Sequence, residues 1–417
     1  MIILIKWRRP NKVGLCVRLP ERWQPMLHLS SRRIQASGNP EGNSLMASAA
    51  VAVQEDRRGV IAQKWIINRR DDLLWFIGSV AASYALLVAY LGLDVPVMLL
   101  VWVWALGFDG PHVFATVSRT YADSEERRNR ARLLYGSLLL FLIGPTMVLA
   151  GRANLLGIDV WGSVFFLFAS LWAYYHLVKQ HYGFMILYKK KNDDLAEIDN
   201  LIDRAFLLLG MTYPLLHFMS NSAAAVGRIP FSTQTGFFWW LQTFVLSGFA
   251  ATLILFVARQ AQRLYLRLPI NAPKLLLLAA ALPMHWIVLR LLEPRPEGAI
   301  ASVAMLTIYH NIQYHRIVWF HNENKYRRAG APSYGAASFI SKTVWGYVGF
   351  ALLFGAFYHI PHYTIVAPDG LVMAFIWGGA FIHYYLDSKI WRVRRDAQLN
   401  RNLRMGQPQK AGNEAAA

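Results

Sequence analysis

From about residue 72 onward the chain alternates long apolar runs with short polar or charged connectors. A run of roughly 20 residues, wound at about 1.5 Å per residue, spans the hydrocarbon core of a bilayer. Ten such runs stand at about 73–93, 96–119, 133–150, 160–188, 201–220, 235–258, 273–292, 299–321, 342–362 and 370–392. The pattern predicts an all-α, polytopic integral membrane bundle of about ten transmembrane helices over residues 72–395.

The flanks differ in kind. Residues 1–71 are basic, irregular and rich in Arg, Pro, Ser and Asn, with no sustained helical or strand period, so a disordered cytoplasmic leader is expected. They contain no apolar core followed by a small-residue cleavage site, so no signal peptide is read there. Met46-Ala-Ser-Ala-Ala offers an alternative translation start. Residues 396–417 are expected to be a disordered cytoplasmic tail.

Composition fits this class, with 55% hydrophobic, 14% aromatic and only 16% charged residues in 417. The net charge of +19 would suit nucleic acid, but its Lys and Arg lie in short clusters between the apolar runs. Those at 69–70, 119–132, 189–191, 259–267, 325–328 and 392–395 fall on one side of a ten-span topology. The connectors at 152–159, 221–236, 293–298 and 367–370 fall on the other and carry few charges. The positive-inside rule then places both termini in the cytoplasm, with a bacterial-type inner membrane as the expected location and no nucleic-acid partner. Cys16 is the only cysteine, which excludes an intrachain disulfide, a thiolate cluster and a CxxC motif. Any metal must be held by His, carboxylate, carbonyl or water.

Histidine is the residue that breaks the apolar pattern. Tyr175-His176-Leu-Val-Lys-Gln-His181 and Tyr309-His310-Asn-Ile-Gln-Tyr-His315 repeat an H-x4-H spacing in the fourth and eighth runs. His112 and His383, in the second and tenth runs, share the same predicted leaflet, and each has a carboxylate one turn away, Asp109 and Asp387. Ionisable side chains in hydrocarbon cost a few kcal/mol each on insertion scales, so they mark function or close polar packing between helices. His112, His176, His181, His310, His315, His383, Asp109 and Asp387 are therefore the candidate metal ligands, the aspartates binding directly or orienting an imidazole. Gly110-Pro111 is expected to break the second span beside His112. On a straight helix, five residues turn through roughly 500° and leave two rings about 140° apart, so H-x4-H needs two metals or a π-bulge to work as a unit. His321 is at best peripheral. His217, His285, His359 and His362 read as bundle or interfacial residues, with His359-Ile-Pro-His362 marking a span end. Lys189, Lys190 and Lys191 read as topology determinants.

The histidine boxes near the ends of membrane helices resemble those of the membrane-bound fatty-acid desaturase and hydroxylase superfamily, whose boxes hold two non-haem irons. His176 to His181 matches that family's first box form and His310 to His315 repeats its spacing, but no His-His pair occurs anywhere in the chain. The resemblance covers about a quarter of the chain. It implies a di-iron oxidoreductase that hydroxylates or desaturates a membrane lipid or isoprenoid, fed by a separate electron donor. A second likeness is to polytopic carotene-cleaving oxygenases that bind iron through helix-borne histidines, although no segment matches them closely. Two other functions use the same residues: a haem-b cytochrome with His176 and His310 as axial ligands, and a transporter with a His/Asp proton relay.

Overall fold

The structure, a computed structural model, describes residues 61–226, 229–364 and 370–406, except for the side chains of 361–364, together with two N-terminal strands. Two compact units are present, 1–59 and 60–417. In the first, strands β1 (Ile5–Arg9) and β2 (Lys12–Cys16) pair antiparallel, with Ile5 opposite Cys16 and Arg9 opposite Lys12. That hairpin departs from the expected irregular leader. The rest of residues 1–60 lies outside the described residues, as does 407–417 of the tail.

The second unit is helical. Among its described residues, ten helices of at least 20 residues cover the ten apolar runs. They are α1 (Arg69–Gly92), α2 (Val97–Arg119), α3 (Ala131–Arg152), α4 (Trp161–Lys191), α5 (Glu197–Asn221), α6 (Gly236–Tyr265), α7 (Ala272–Leu292), α8 (Gly298–Tyr326), α9 (Val344–Thr364) and α10 (Leu371–Ile390). Six of them, α1, α2, α3, α4, α6 and α7, are long and apolar enough to cross a membrane. By length and composition these are the helices of a multi-pass integral membrane protein. α6 shows the pattern most plainly, leaving Trp239, Trp240, Phe244 and Ile254 exposed along its length.

Local chemistry sets the helix starts. Asn68 accepts the Asp71 N–H at the start of α1, Asn271 accepts the Lys274 N–H at the start of α7, and Asp123 accepts from the N–H groups of Glu125 and Glu126 to open a short helix, Ser124–Asn129. Asp72 binds the N–H groups of Ile66 and Ile67 at 2.7 and 3.0 Å, and Ile61–Ala62 (β3) pairs with Ile270–Asn271 (β4). Residues 61–71 are thus part of the folded unit, where a disordered leader was expected. The tail likewise begins with a helix, Ala397–Asn402, capped by Asp396 and anchored by buried Leu399, Leu403 and Met405. These apolar residues supply the burial that the tail's overall composition conceals.

α8 is the central helix, packed against α1, α2, α4 and α7. α10 contacts α2 and α4, so α2, α8, α4 and α10 form a closed ring of neighbours. Two close crossings hold the ring from outside. A Cβ on Gly110 would overlap the Gly355 backbone where α2 meets α9, and a Cβ on Gly378 would overlap Phe141 where α10 meets α3. Buried ion pairs tie helix ends together. Asp194 binds Arg263 at 2.5 Å and Lys274 at 2.8 Å, while Asp203 binds Lys274 at 3.0 Å and also Lys189. Lys189 is fully buried in this pairing, a structural role that its place in a run of three lysines did not predict.

Candidate metal centre

α2 reaches the ring through a local fault. Pro111 has no N–H to donate, and the turn before it widens into a π-helix, Ala105–Asp109, in which the Gly110 N–H bonds the Ala105 carbonyl five residues back. The expected break is therefore absorbed as one wide turn inside a continuous helix. His112 follows it directly and is buried. The wider turn also carries Asp109 away from His112 and onto α9, where its Oδ2 lies 3.1 Å from His359 Nε2. His359 is accordingly a buried residue within α9 and not part of a span-ending loop. The side chain of His362 lies outside the described residues.

Four of the eight candidate ligands converge. His112 of α2, His176 of α4, His310 of α8 and His383 of α10 are all buried, and one ring nitrogen from each lies within 4.8 Å of the others. His112 Nε2 and His310 Nε2 stand 3.0 Å apart. The ring centroids of His112 and His383 are 4.3 Å apart, and those of His176 and His383 4.7 Å. Nitrogens bound to one ion at about 2.1 Å are separated by about 3 Å in cis positions and about 4.2 Å in trans, so the cluster is within a small contraction of a single coordination sphere. His176 Nε2 and His383 Nε2 are buried and have no hydrogen-bond partner among the described residues, as is true of the Nδ1 atoms of His112 and His310. Buried polar atoms are seldom left unpaired, and this concentration of orphaned imidazole nitrogens fits a bound cation. The described residues therefore include a buried four-histidine group able to hold a metal ion.

The other four candidates stand outside that group, although the ring of His315 stays 6.4 Å from that of His112. α4 and α8 are uninterrupted α-helices, so each H-x4-H pair splits by the 140° that regular helix geometry requires. His181 faces His285 on α7, with ring centroids 5.8 Å apart. His315 Nδ1 bonds Tyr347 Oη at 3.0 Å. Asp109 pairs with His359, as described. Asp387 lies 3.8 Å from His383 Nδ1, and its nearer link to that ring runs through Thr116. Thr116 Oγ1 donates to Asp387 Oδ1 at 2.8 Å and lies 2.7 Å from His383 Nδ1. Thr116 Oγ1 also lies 2.6 Å from Tyr314 Oη; with its one hydrogen given to either oxygen, it accepts the Nδ1 hydrogen of His383, and Nε2 is then the bare lone pair of that ring. Tyr314 Oη also donates to Asp387, at 2.6 Å, and accepts from Trp391 Nε1 at 3.2 Å.

Thr116 is the site residue that spacing did not suggest. The available signal was its place four residues after His112, on the same face of α2. Tyr384 stacks on His176 at 4.5 Å and 26°, closing one side of the cluster. Gln180 bridges the ligand helices by donating to the His310 carbonyl at 2.8 Å. His321 is held by Asn322 and Asn402 and takes no part in the cluster. His217 lies 3.3 Å from Glu293.

Comparison of the chain with protein families, with characterised proteins and with solved structures finds no match.

Proposed function

We propose that this protein is a membrane-embedded, iron-dependent oxidoreductase whose single non-haem iron is held by His112, His176, His310 and His383, and which hydroxylates or desaturates a lipid or isoprenoid. The observation that carries the reading is the convergence of four buried imidazoles, one from each of four neighbouring helices, within 4.8 Å. One ion is favoured over two at this centre because no carboxylate among the described residues joins the group: Asp109 is engaged by His359, and Asp387 by Thr116 and Tyr314. Iron bound by imidazoles supplies dioxygen activation beside an apolar substrate.

The protein's own residues prepare that chemistry. Asp387, reached through Thr116, orients His383 and lies 3.8 Å from its Nδ1, close enough to offset the charge of a dication. Tyr384 and Tyr314 flank His176 and His112 and keep bulk water from the imidazoles. In this reading all ten helices cross the inner membrane of a bacterial-type cell, both termini are cytoplasmic, the substrate enters laterally from the bilayer, and reductant comes from a separate protein. A porphyrin brings four equatorial nitrogens of its own, so four convergent imidazoles fit a haem poorly.

Metal analysis and a visible spectrum of the purified protein test the proposal, together with lipid profiling of a deletion strain complemented by wild type or by His310→Ala. Iron at this centre, no Soret band, and a lipid change that only the wild type reverses are expected. A Soret band would replace the reading with a cytochrome, and a metal-free, spectrally silent protein would end it.

A further inference from the structure

His181 and His285 make a second imidazole pair that the four-histidine centre leaves unused. His181 leaves α4 on a different side from His176 and meets His285 of α7 edge-on, at 89° and 5.8 Å between centroids. The two residues are 1% and 0% exposed.

Their hydrogen bonding is incomplete in a specific way. His285 Nδ1 lies 2.9 Å from the Ala281 carbonyl, which can only accept, so Nδ1 carries the hydrogen and Nε2 is a bare lone pair. That Nε2 is buried and has no partner among the described residues, and neither ring nitrogen of His181 has one. A neutral imidazole at His181 adds one more lone pair and one N–H. Two tyrosines wall the space, Tyr174 with its ring 5.7 Å from His285 and Tyr309 with its ring 5.1 Å from His181. Neither can donate to the lone pairs, because Tyr174 Oη donates to the Met211 carbonyl at 2.6 Å and Tyr309 Oη to the Phe76 carbonyl at 2.8 Å. Two of the three unpartnered nitrogens are thus lone pairs with no donor among the described residues, and one ion can take both. An imidazole whose N–H is fixed on a backbone carbonyl while the opposite nitrogen is free is also the usual posture of a metal-binding histidine.

We propose that His181 and His285 hold a second first-row transition-metal ion, separate from the four-histidine centre, with water completing its coordination. Imidazole donors suit the later members of that series. The inference rests on this pair alone and does not depend on iron or oxidation chemistry at the other centre.

The test is a Co(II) titration of chelator-stripped, detergent-purified full-length protein, with cobalt per chain counted by mass spectrometry and followed by d–d absorption. Wild type is expected to bind two equivalents. His181→Ala and His285→Ala should each bind one, His310→Ala should also bind one, and the His181→Ala/His310→Ala double variant none. If an alanine variant elutes as aggregate, His181→Gln and His285→Phe preserve volume and answer the same question. A single wild-type equivalent that survives both His181 and His285 substitutions overturns the second site and leaves a buried water between the rings. A single equivalent lost in those variants but kept in His310→Ala supports the second site and removes the first. No cobalt in the wild type overturns both.

Discussion

His112 and His310 face each other Nε2 to Nε2 across 3.0 Å, from α2 and α8. One shared hydrogen would satisfy that contact, and so would one shared ion. The other two rings decide between them. His176 Nε2 and His383 Nε2 are buried beside this pair with no partner among the described residues, and a hydrogen shared between His112 and His310 leaves both unpaired. Replacing His112, His176, His310 or His383 with Ala should therefore each reduce metal at this centre by well over the roughly 10–100-fold that loss of an outer-shell partner costs. His315→Ala, which removes the bond to Tyr347 and an edge contact with His112 but no nitrogen of the four-histidine group, should leave it loaded. Metal content of size-exclusion peaks checks this. Full metal occupancy in two of the four alanine variants would remove the site.

Thr116→Val keeps the shape of the side chain and deletes the hydroxyl between Asp387 and His383. The His383 Nδ1 hydrogen then loses its acceptor, and the tautomer that presents Nε2 to the cluster is no longer fixed. Metal affinity should fall about 10–100-fold and stability by about 1–3 kcal/mol, the cost of a buried hydrogen left without its acceptor, and Thr116→Ser should restore both. Competition against a chelator of known affinity gives the measurement.

How much of this was visible in the chain follows from the range of each signal. Ten apolar runs reappear as ten helices because hydropathy over 20 residues needs no knowledge of neighbours. The runs bearing His112, His176, His310 and His383 are the helices that meet, since ionisable residues in apolar segments seek one another's company. Which histidine of each H-x4-H turns inward depends on the rotation of α4 and α8 about their axes, and only packing sets that. Asp109 ends the π-turn before Pro111 and pairs with His359, a contact 250 residues away in the chain that local spacing carries no sign of. Lys189 read as a loop charge because its partner Asp203 lies on the next helix. Thr116 was silent because a hydroxyl near a histidine is too common to mark a site.

Lys274 is fully buried and shared by Asp194 and Asp203. Removing one partner of a buried pair leaves charge uncompensated at a cost of about 3–5 kcal/mol. Lys274→Met should lose about that much, read as a lowered unfolding midpoint in detergent. After that change Asp194 keeps Arg263 and Asp203 keeps Lys189, so adding Asp203→Leu should deepen the loss by stranding the fully buried Lys189, but by less than Asp203→Leu costs alone, where Lys274 loses a partner too. Strict additivity of the two substitutions would show that they do not share a network.

Asp194 sets the acid limit of that network. Burial pushes its carboxyl up, but Lys274, Arg263 and Lys189 together outweigh burial and hold it below the ordinary aspartate range. A carboxyl with a depressed folded-state value contributes stability above its unfolded value and loses it as pH falls through the folded one. The contribution of Asp194 should therefore be constant from about pH 7 to 5 and decline below about pH 4. Comparing the melting temperature of wild type with that of Asp194→Asn across this range isolates it: the gap between them should narrow at low pH and stay level above pH 5. A gap that widens on acidification would reverse the sign and exclude Asp194 as the anchor.

The crossing of α2 and α9 links packing to the metal centre. Gly110 sits between the π-turn and His112, and a Cβ there would overlap the Gly355 backbone, which cannot yield as a flexible side chain could. Gly110→Ala should force the helices apart at a cost of about 1–3 kcal/mol. Because His112 is only two residues away, the displacement should also pull one nitrogen out of the cluster and weaken metal binding. Gly92→Ala, at the end of α1 where the nearest atom to a new Cβ is a valine methyl at 3.8 Å, provides the control and should change neither property. If Gly110→Ala lowers stability but leaves metal affinity intact, His112 tolerates movement of its helix and the coordination sphere is looser than its 3.0 Å contact with His310 implies.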